Sequence, residues 1–256
     1  MMSAIYFHIP FCKRICSYCD FHRFADLSPM AEVIEAMHAE LEETIDFLHD
    51  RRIRTIYFGG GTPSLLDPAE LQRFIDRVKS IYDTSELEEV TVEVNPDDVT
   101  EEFVNRLKET RINRISVGVQ SFDDRLLKLM NRRHDSQQAE RSVKLLQAAG
   151  YKNITVDLIF GFGDFGDEVV EEDLRRIVQL GIEHVSAYHL TIEPATRLGC
   201  LAARGEFRPI ADERSERQFG MIHKALTDNG FEHYEVSNYA RAGFRSRHNS
   251  SYWLAA

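Results

Sequence analysis

No apolar run of about 18 residues occurs anywhere in this 256-residue chain, and no charged-then-apolar leader precedes the short β-like run Ser3 to Ile9. Both absences argue against a membrane span or a secretory signal and set the expectation of a soluble, cytoplasmic protein. Basic residues are in deficit, 31 against 42 acidic, so a net charge of −11 argues against wholesale attraction to nucleic acid or an anionic membrane. Any anionic ligand must then be met locally. Cysteine is scarce, and three of the four crowd between positions 12 and 19, where they cannot pair off as disulfides. Cys200, without ligand-type neighbours, reads as a small packed residue. Linkers, repeats and low-complexity segments are missing too. With 43% hydrophobic residues, one domain with a substantial core is expected.

What is present is an alternation of short β-branched runs and longer helical stretches, the pattern of β-α units around a parallel sheet. Strands are expected at Ala4 to His8, Thr55 to Phe58, Glu89 to Val94, Arg114 to Val119, Ile154 to Phe160 and His184 to Leu190, each read as an apolar run buried on both faces. Ser28-Pro29 reads as an N-cap with proline at the first helical position, before a stripe of Val33, Ile34, Met37, Leu41, Ile45 and Leu48. Asp67-Pro68-Ala69-Glu70 reads as a second cap with a capping-box glutamate. Gly150 and Gly181 sit where helices should stop.

Six units fall short of the eight that close a full barrel, so the fold class is α/β with an open, curved sheet and a wide lateral mouth. Functional groups of such sheets lie at the C-terminal strand ends. Polar residues stand out of place there: Glu93, Asn95, Gln120, Asp157, Tyr188 and His189. Beyond Leu190 a helix is expected from Asp212 to Asp228, with Phe219, Ile222 and Leu226 apolar, then a strand over Phe231 to Val236. Ser237 to Ala256 reads as loop, with a basic patch of Arg241, Arg245, Arg247 and His248.

Cys12, Cys16 and Cys19 follow a C-x3-C-x2-C spacing. Three thiolates on one short loop can hold an iron-sulfur cube and leave one iron open. Alternatively, His22 completes a Cys3His set for zinc, and the loop by itself leaves both readings standing. Gly59, Gly60 and Gly61 exceed what a turn requires and would let backbone approach a ligand closely. Glu93 is a carboxylate inside a buried strand, suited to an amine or ribose. Arg132 is suited to a carboxylate, although its neighbours Arg125, Lys128 and Arg133 also fit a solvated basic face.

The cysteine loop with Tyr18, the Gly59-Gly60-Gly61-Thr62-Pro63 turn and the Gly118-Val119-Gln120-Ser121-Phe122 strand end resemble the radical S-adenosylmethionine (SAM) superfamily. Within it they resemble the branch of oxygen-independent coproporphyrinogen III oxidases and HemW-type heme chaperones, from about Tyr6 to Trp253. The resemblance implies a partial (β/α)6 TIM-like barrel over residues 1–200, with the cluster loop at 8–24, and a short C-terminal α+β/loop extension over 201–256. It implies a [4Fe-4S] cluster on the three cysteines and SAM lined by Tyr6, Gly60, Gly61, Thr62, Glu93, Gln120, Arg132, Asp157, Ile159 and Thr191. It also implies an electron donor such as a flavodoxin or ferredoxin.

Departures sort the two branches. The oxidases carry a further cysteine where this chain has Phe21, and an N-terminal extension for which there is no room before Ala4. Both point to the chaperone side, with heme as cargo, a heme-accepting protein as partner and membrane association only through that acceptor. The alternative is a radical decarboxylase of porphyrin biosynthesis. His248-Asn249-Ser250-Ser251-Tyr252-Trp253 matches the chaperones' H-N-x-x-Y-W motif. There the imidazole of His248 suits heme iron, Tyr252 and Trp253 suit its ring, and Arg245 and Arg247 suit its propionates. The competing reading packs His248 and Trp253 against the barrel. Gly161-Phe162-Gly163-Asp164 replaces the usual Gly-Leu-Pro turn, and the chain stops three residues after Trp253 where family members continue, so a truncated C-terminal region is expected.

Overall fold

A computed structural model describes residues 3–48 and 50–253. Six strands, β1 (Ser3–Ile9), β2 (Ile53–Gly60), β3 (Glu89–Val94), β4 (Arg114–Gln120), β5 (Ile154–Phe160) and β6 (His184–His189), run parallel in sequence order. Two short strands, β7 (Glu232–His233) and β8 (Asn238–Ala240), continue the sheet antiparallel, in the order β6-β8-β7. The sheet stays open, with β1 at one edge and β7 at the other. The crossovers carry α1 (Met30–Glu43), α2 (Pro68–Ile81), α3 (Glu101–Leu107), α4 (Asp124–Leu129), α5 (Ser136–Ala148) and α6 (Asp167–Leu180); all but α4 pack on the core of the sheet, and α4 joins a smaller cluster with Phe162, Leu190 and Leu198. The chain continues through α7 (Arg197–Ala203), α8 (Asp212–Asp228) and α9 (Arg247–Trp253). Among the described residues no helix is long and apolar enough to cross a membrane.

The strands are not apolar on both faces as expected. Phe58, Val92, Val117, Val156 and Val185 turn outward into the core shared with the helices. The intervening Thr55, Thr91, Arg114, Ser116, Thr155 and Ser186 are equally buried but turn to the concave side. Strand side chains alternate between faces, and the β-prone Thr among these polar positions hid the alternation. Burial of each outward Val, Ile or Phe contributes about 1.5–3 kcal/mol, which offsets the cost of a polar interior.

Helix ends follow the local chemistry with two corrections. Asp67 caps α2, its side chain accepting from the Ala69 amide at 2.9 Å with Pro68 first in the helix. Glu70 forms no capping box; its carboxylate bonds the His38 imidazole of α1 at 2.8 Å and so ties the two helices together. The capping box lies instead at Asp135 and Gln138 on α5. Ser28 is not a cap either, because α1 begins at Met30 after Pro29; it ends at Glu43, leaving Ile45 and Leu48 outside the helix. Gly181 stops α6 in the left-handed conformation. Cys200 is exposed rather than packed, because α7 turns Leu198 and Gly199 inward.

The largest difference lies after Ser237, where a loop was expected and β8 and α9 are found; the last three residues lie outside those described. The buried Glu89 carboxylate at the start of β3 explains α9, accepting from the Arg247 amide at 2.9 Å, the His248 amide at 3.0 Å and the Ser246 hydroxyl at 3.4 Å. An acceptor at a helix start satisfies amides that otherwise go unpaired. Glu89→Ala should therefore release α9 before the sheet melts. Trp253, the single tryptophan, reports this by fluorescence in urea, with a midpoint below that of far-ultraviolet circular dichroism. Coincident transitions in the variant would contradict the assignment.

Candidate functional site

The cysteine loop leaves the end of β1 and is held at both its ends. The Cys12 amide donates to the Phe24 carbonyl at 2.9 Å and the Phe24 amide returns to Pro10 at 2.6 Å, closing its base. Ser17 ties the tip to the end of α4, its amide donating to Met130 at 2.9 Å and its hydroxyl to Leu129 at 2.8 Å. All three cysteines are free thiols on the wall of one cavity of about 520 Å³ at the C-terminal strand ends.

Gly60 at the end of β2, Gly61 and Thr62 just after it, Glu93 on β3, Gln120 at the end of β4 and Arg132 after α4 line the same cavity, as do Asp157 and Ile159 on β5 and Thr191 after β6. Of the residues expected around SAM, Tyr6 alone is not on that wall. It lies on the edge strand β1, partly exposed and stacked on Tyr57 with ring centroids 5.6 Å apart. The glycines serve the protein itself first: Gly60 has φ +104, and a Cβ on Gly61 would come within 2.7 Å of the Ile9 and Phe11 carbonyls. Asp97 and Asn131 also line the cavity and were not singled out from sequence. Asn131 carries its one signal in backbone geometry, φ +60, which no residue pattern reveals.

Arg132 is set apart from its basic neighbours. Arg125 is paired with Asp123, and Arg133 with Asp97 and Asp98. The Arg132 guanidinium instead points inward, donating to Cys16 Sγ at 3.3 Å, Asn95 Oδ1 at 2.6 Å and the Gly118 carbonyl at 2.6 Å. Asn95 donates in turn to the Thr62 hydroxyl at 3.2 Å, and that hydroxyl to Cys12 Sγ at 3.4 Å. One polar chain thus joins two of the three sulfurs. Burial pushes the Cys12 and Cys19 thiols above their ordinary pKa, so a bound metal must drive their deprotonation.

Three buried atoms on or at this wall have no partner: Gln120 Oε1, Arg132 Nε and Asp97 Oδ1. On a cavity wall such atoms are open to bonds from a ligand or from water. Among the described residues no group of three or more His, Cys, Asp or Glu is gathered to hold a single metal ion. His22 packs edge-on against Phe24 and does not line the cavity, so the Cys3His zinc set is not assembled. Three free thiols spread around a roomy cavity fit a group wider than one ion, as a cube of irons and sulfides is.

The strand positions beneath are electrostatically tense. Burial first, then neighbouring Asp157, pushes the Glu93 carboxyl up to about 7, although it accepts from Tyr57 Oη at 2.8 Å and the Gly60 amide at 3.1 Å. Burial likewise raises Asp157, against the opposing hydroxyls of Ser186 and Ser116. The loop after β5 departs from the Gly-Leu-Pro pattern yet is anchored: the Gly161 amide donates to Gln218 of α8 at 3.2 Å and Phe162 is buried.

The H-N-x-x-Y-W residues lie at the other end of the strands, on α9. His248 is 2% exposed, its Nδ1 bonded to the Thr55 hydroxyl at 2.8 Å and its Nε2 to Tyr252 Oη at 3.1 Å. Burial lowers its pKa to about 4, which keeps the imidazole neutral. Tyr252 and Trp253 face solvent. Of the three candidates for heme, the ligand is folded inward and the two aromatics outward.

Because Glu93 holds its proton at pH values where the unfolded chain has lost it, stability falls as pH rises from 4.5 toward 7. The loss is on the order of 3 kcal/mol when complete. Glu93→Gln should therefore raise the thermal midpoint of the ligand-free protein at pH 8 and leave it nearly unchanged at pH 4.5. An unchanged midpoint at both values would contradict the burial penalty.

Comparison with known proteins agrees with this geometry. The family model for the radical SAM superfamily matches residues 6–177. The heme chaperone HemW of Lactococcus lactis is 39% identical over 98% of this chain and 65% of its own length. That of Bacillus subtilis is 35% identical over 98% and 67%. The chain thus spans about two thirds of these relatives. In fold it is similar to Escherichia coli coproporphyrinogen III oxidase, HemN, described as a radical SAM enzyme, with TM-score 0.81 and 21% identity over 98% of this chain and 58% of that one. From the cysteine loop on its open parallel sheet to its HemW relatives, the chain belongs to the radical SAM superfamily.

Proposed function

We propose that this chain binds a [4Fe-4S] cluster through Cys12, Cys16 and Cys19, SAM beside it, and heme for transfer to an acceptor protein. The observation that carries the first part is the single cavity that collects the three free thiols, the turn Gly60 to Thr62, and the unpartnered Gln120 and Arg132 atoms. When bound, such a cluster supplies an open iron and an electron for the cleavage of SAM. The protein's own groups orient that ligand: Arg132 meets its carboxylate, Glu93 its amine or ribose, and Gln120 supplies an acceptor inside the cavity. A cationic ligand also stabilises ionised Glu93, which favours binding near neutral pH.

The heme part is supported by the HemW relatives and by the H-N-x-x-Y-W motif. Axial ligation by His248 draws on α9 leaving its seat on Glu89, since both imidazole nitrogens are engaged in the closed form. Tyr252 and Trp253 already face outward to receive a porphyrin ring. The setting is the cytoplasm, where thiols stay reduced. The partners are a heme acceptor and a one-electron donor such as a flavodoxin or ferredoxin, without nucleic acid; a membrane is approached only through the acceptor. Phe21 at the position of the oxidases' further cysteine speaks against decarboxylase activity.

An anaerobic heme titration of the cluster-loaded protein tests this reading, with coproporphyrinogen III turnover followed on the same sample. The expected result is stoichiometric heme uptake that quenches Trp253, loss of at least about tenfold in affinity with His248→Ala, and no decarboxylation. Turnover of coproporphyrinogen with consumption of SAM would overturn it.

A further inference from the structure

Two non-glycine residues among those described have a backbone in the left-handed region, Gln120 at φ +70 and Asn131 at φ +60, and both line the cavity. Asparagine tolerates that region; glutamine does not, and holding it there costs on the order of 1 kcal/mol or more. Such a conformation persists only where the surroundings over-determine it. For Gln120 the restraint comes from outside the cavity. Asp173, on α6, is 4% exposed and accepts from the Ser121 hydroxyl at 2.8 Å and the Phe122 amide at 2.6 Å. The Ser121 hydroxyl accepts in turn from the Asp123 amide at 3.0 Å. Arg176, one helical turn further along α6, lies over the Phe122 ring at 5.5 Å.

These contacts fix the three residues after Gln120, and so fix where Gln120 leaves the strand. β4 and β5 also lose their regular register between Val117 and Gln120, so the sheet itself does not dictate the turn. The effect is to leave Gln120 Oε1 buried on the cavity wall and unpartnered. An α6 carboxylate that touches no cavity group is thus the anchor of one that does.

We infer that Asp173 is a positioning residue for SAM: it clamps the Ser121-Phe122 turn, holds Gln120 in its strained conformation and so presents an acceptor to the ligand. This rests on the reading that the cavity takes SAM. Asp173→Ala frees the turn, and the strain at Gln120 then relaxes. Asp173→Asn keeps an acceptor for the Phe122 amide and a polar partner for Ser121. Gln120→Gly removes both the strain and the acceptor.

The test is equilibrium binding of SAM to the anaerobic, cluster-loaded protein by calorimetry, with thermal melting alongside. Asp173→Ala should weaken binding about tenfold or more, with iron content unchanged, and Asp173→Asn should return it to within about threefold of wild type. In the Gln120→Gly background, itself weak in SAM but no less heat-stable than wild type, Asp173→Ala should cost nothing further in SAM affinity. That non-additivity marks action through Gln120, whereas a merely structural role would add in both backgrounds. If wild type binds SAM and Asp173→Ala or the conservative Asp173→Asn shows no such pattern, the clamp is overturned alone. If wild type binds no SAM, the reading of the cavity falls, and the clamp with it.

Discussion

The contact on which the site depends is between backbone and backbone, where the turn after β2 meets the base of the cysteine loop. The Gly61 amide donates to the Ile9 carbonyl at 2.8 Å, and there is no room there for a Cβ. Because this seat continues the parallel pairing of β1 and β2, the loop is aimed by the sheet rather than by its own flexible sequence. The sulfurs therefore arrive at the strand ends already facing Glu93, Gln120 and Asp157. Preorganisation of this kind moves the entropic cost of the site into folding, where the apolar face of the sheet offsets it.

That arrangement obliges the concave face to be polar. Arg114 is buried there, bonded to the Thr155 hydroxyl and otherwise without a partner for Nε and Nη1, and it faces β3 and β5, the strands that carry Glu89, Glu93 and Asp157. Arg114 acts on Glu93, and Arg114 and Arg132 both act on Asp157, yet burial still raises the two carboxyls. A cationic ligand bound above them would relieve that penalty, so groups that destabilise the ligand-free protein would favour a ligand-bound one. At the opposite end Glu89 spends its charge on the start of α9 and so brings His248 beneath Tyr57, ring centroids 4.9 Å apart. Tyr57 in turn bonds Glu93. The two motifs of this chain are therefore joined through the barrel interior, although they lie at opposite ends of the strands.

Much of this was legible in the residues. The six parallel strands fall within a few residues of where β-branched runs placed them, and α8 spans Asp212–Asp228 as its periodicity required. The cysteine spacing and the polar strand ends indicated the cavity, because a carboxylate or amide inside an otherwise apolar strand has few structural uses. What escaped reading is non-local. After Arg247, the six residues of α9 are middling to poor helix formers, and they make a helix because Glu89, far away in sequence, accepts its first amides. Glu70 had the spacing of a capping box, but His38 competes for it. The inward turn of His248, the left-handed backbone of Asn131 and the exposure of Cys200 depend on which face an element presents, and spacing alone does not fix that.

The central claim is that three free thiols on one cavity wall hold an iron-sulfur cube rather than a lone ion. Iron and acid-labile sulfide measured after anaerobic reconstitution, beside the same analysis of Cys16→Ser, test it most directly. The account predicts about four iron and four sulfide per chain in wild type, both lost in the variant together with the visible absorbance. Bound zinc without sulfide, or iron and sulfide retained by the variant, would contradict it.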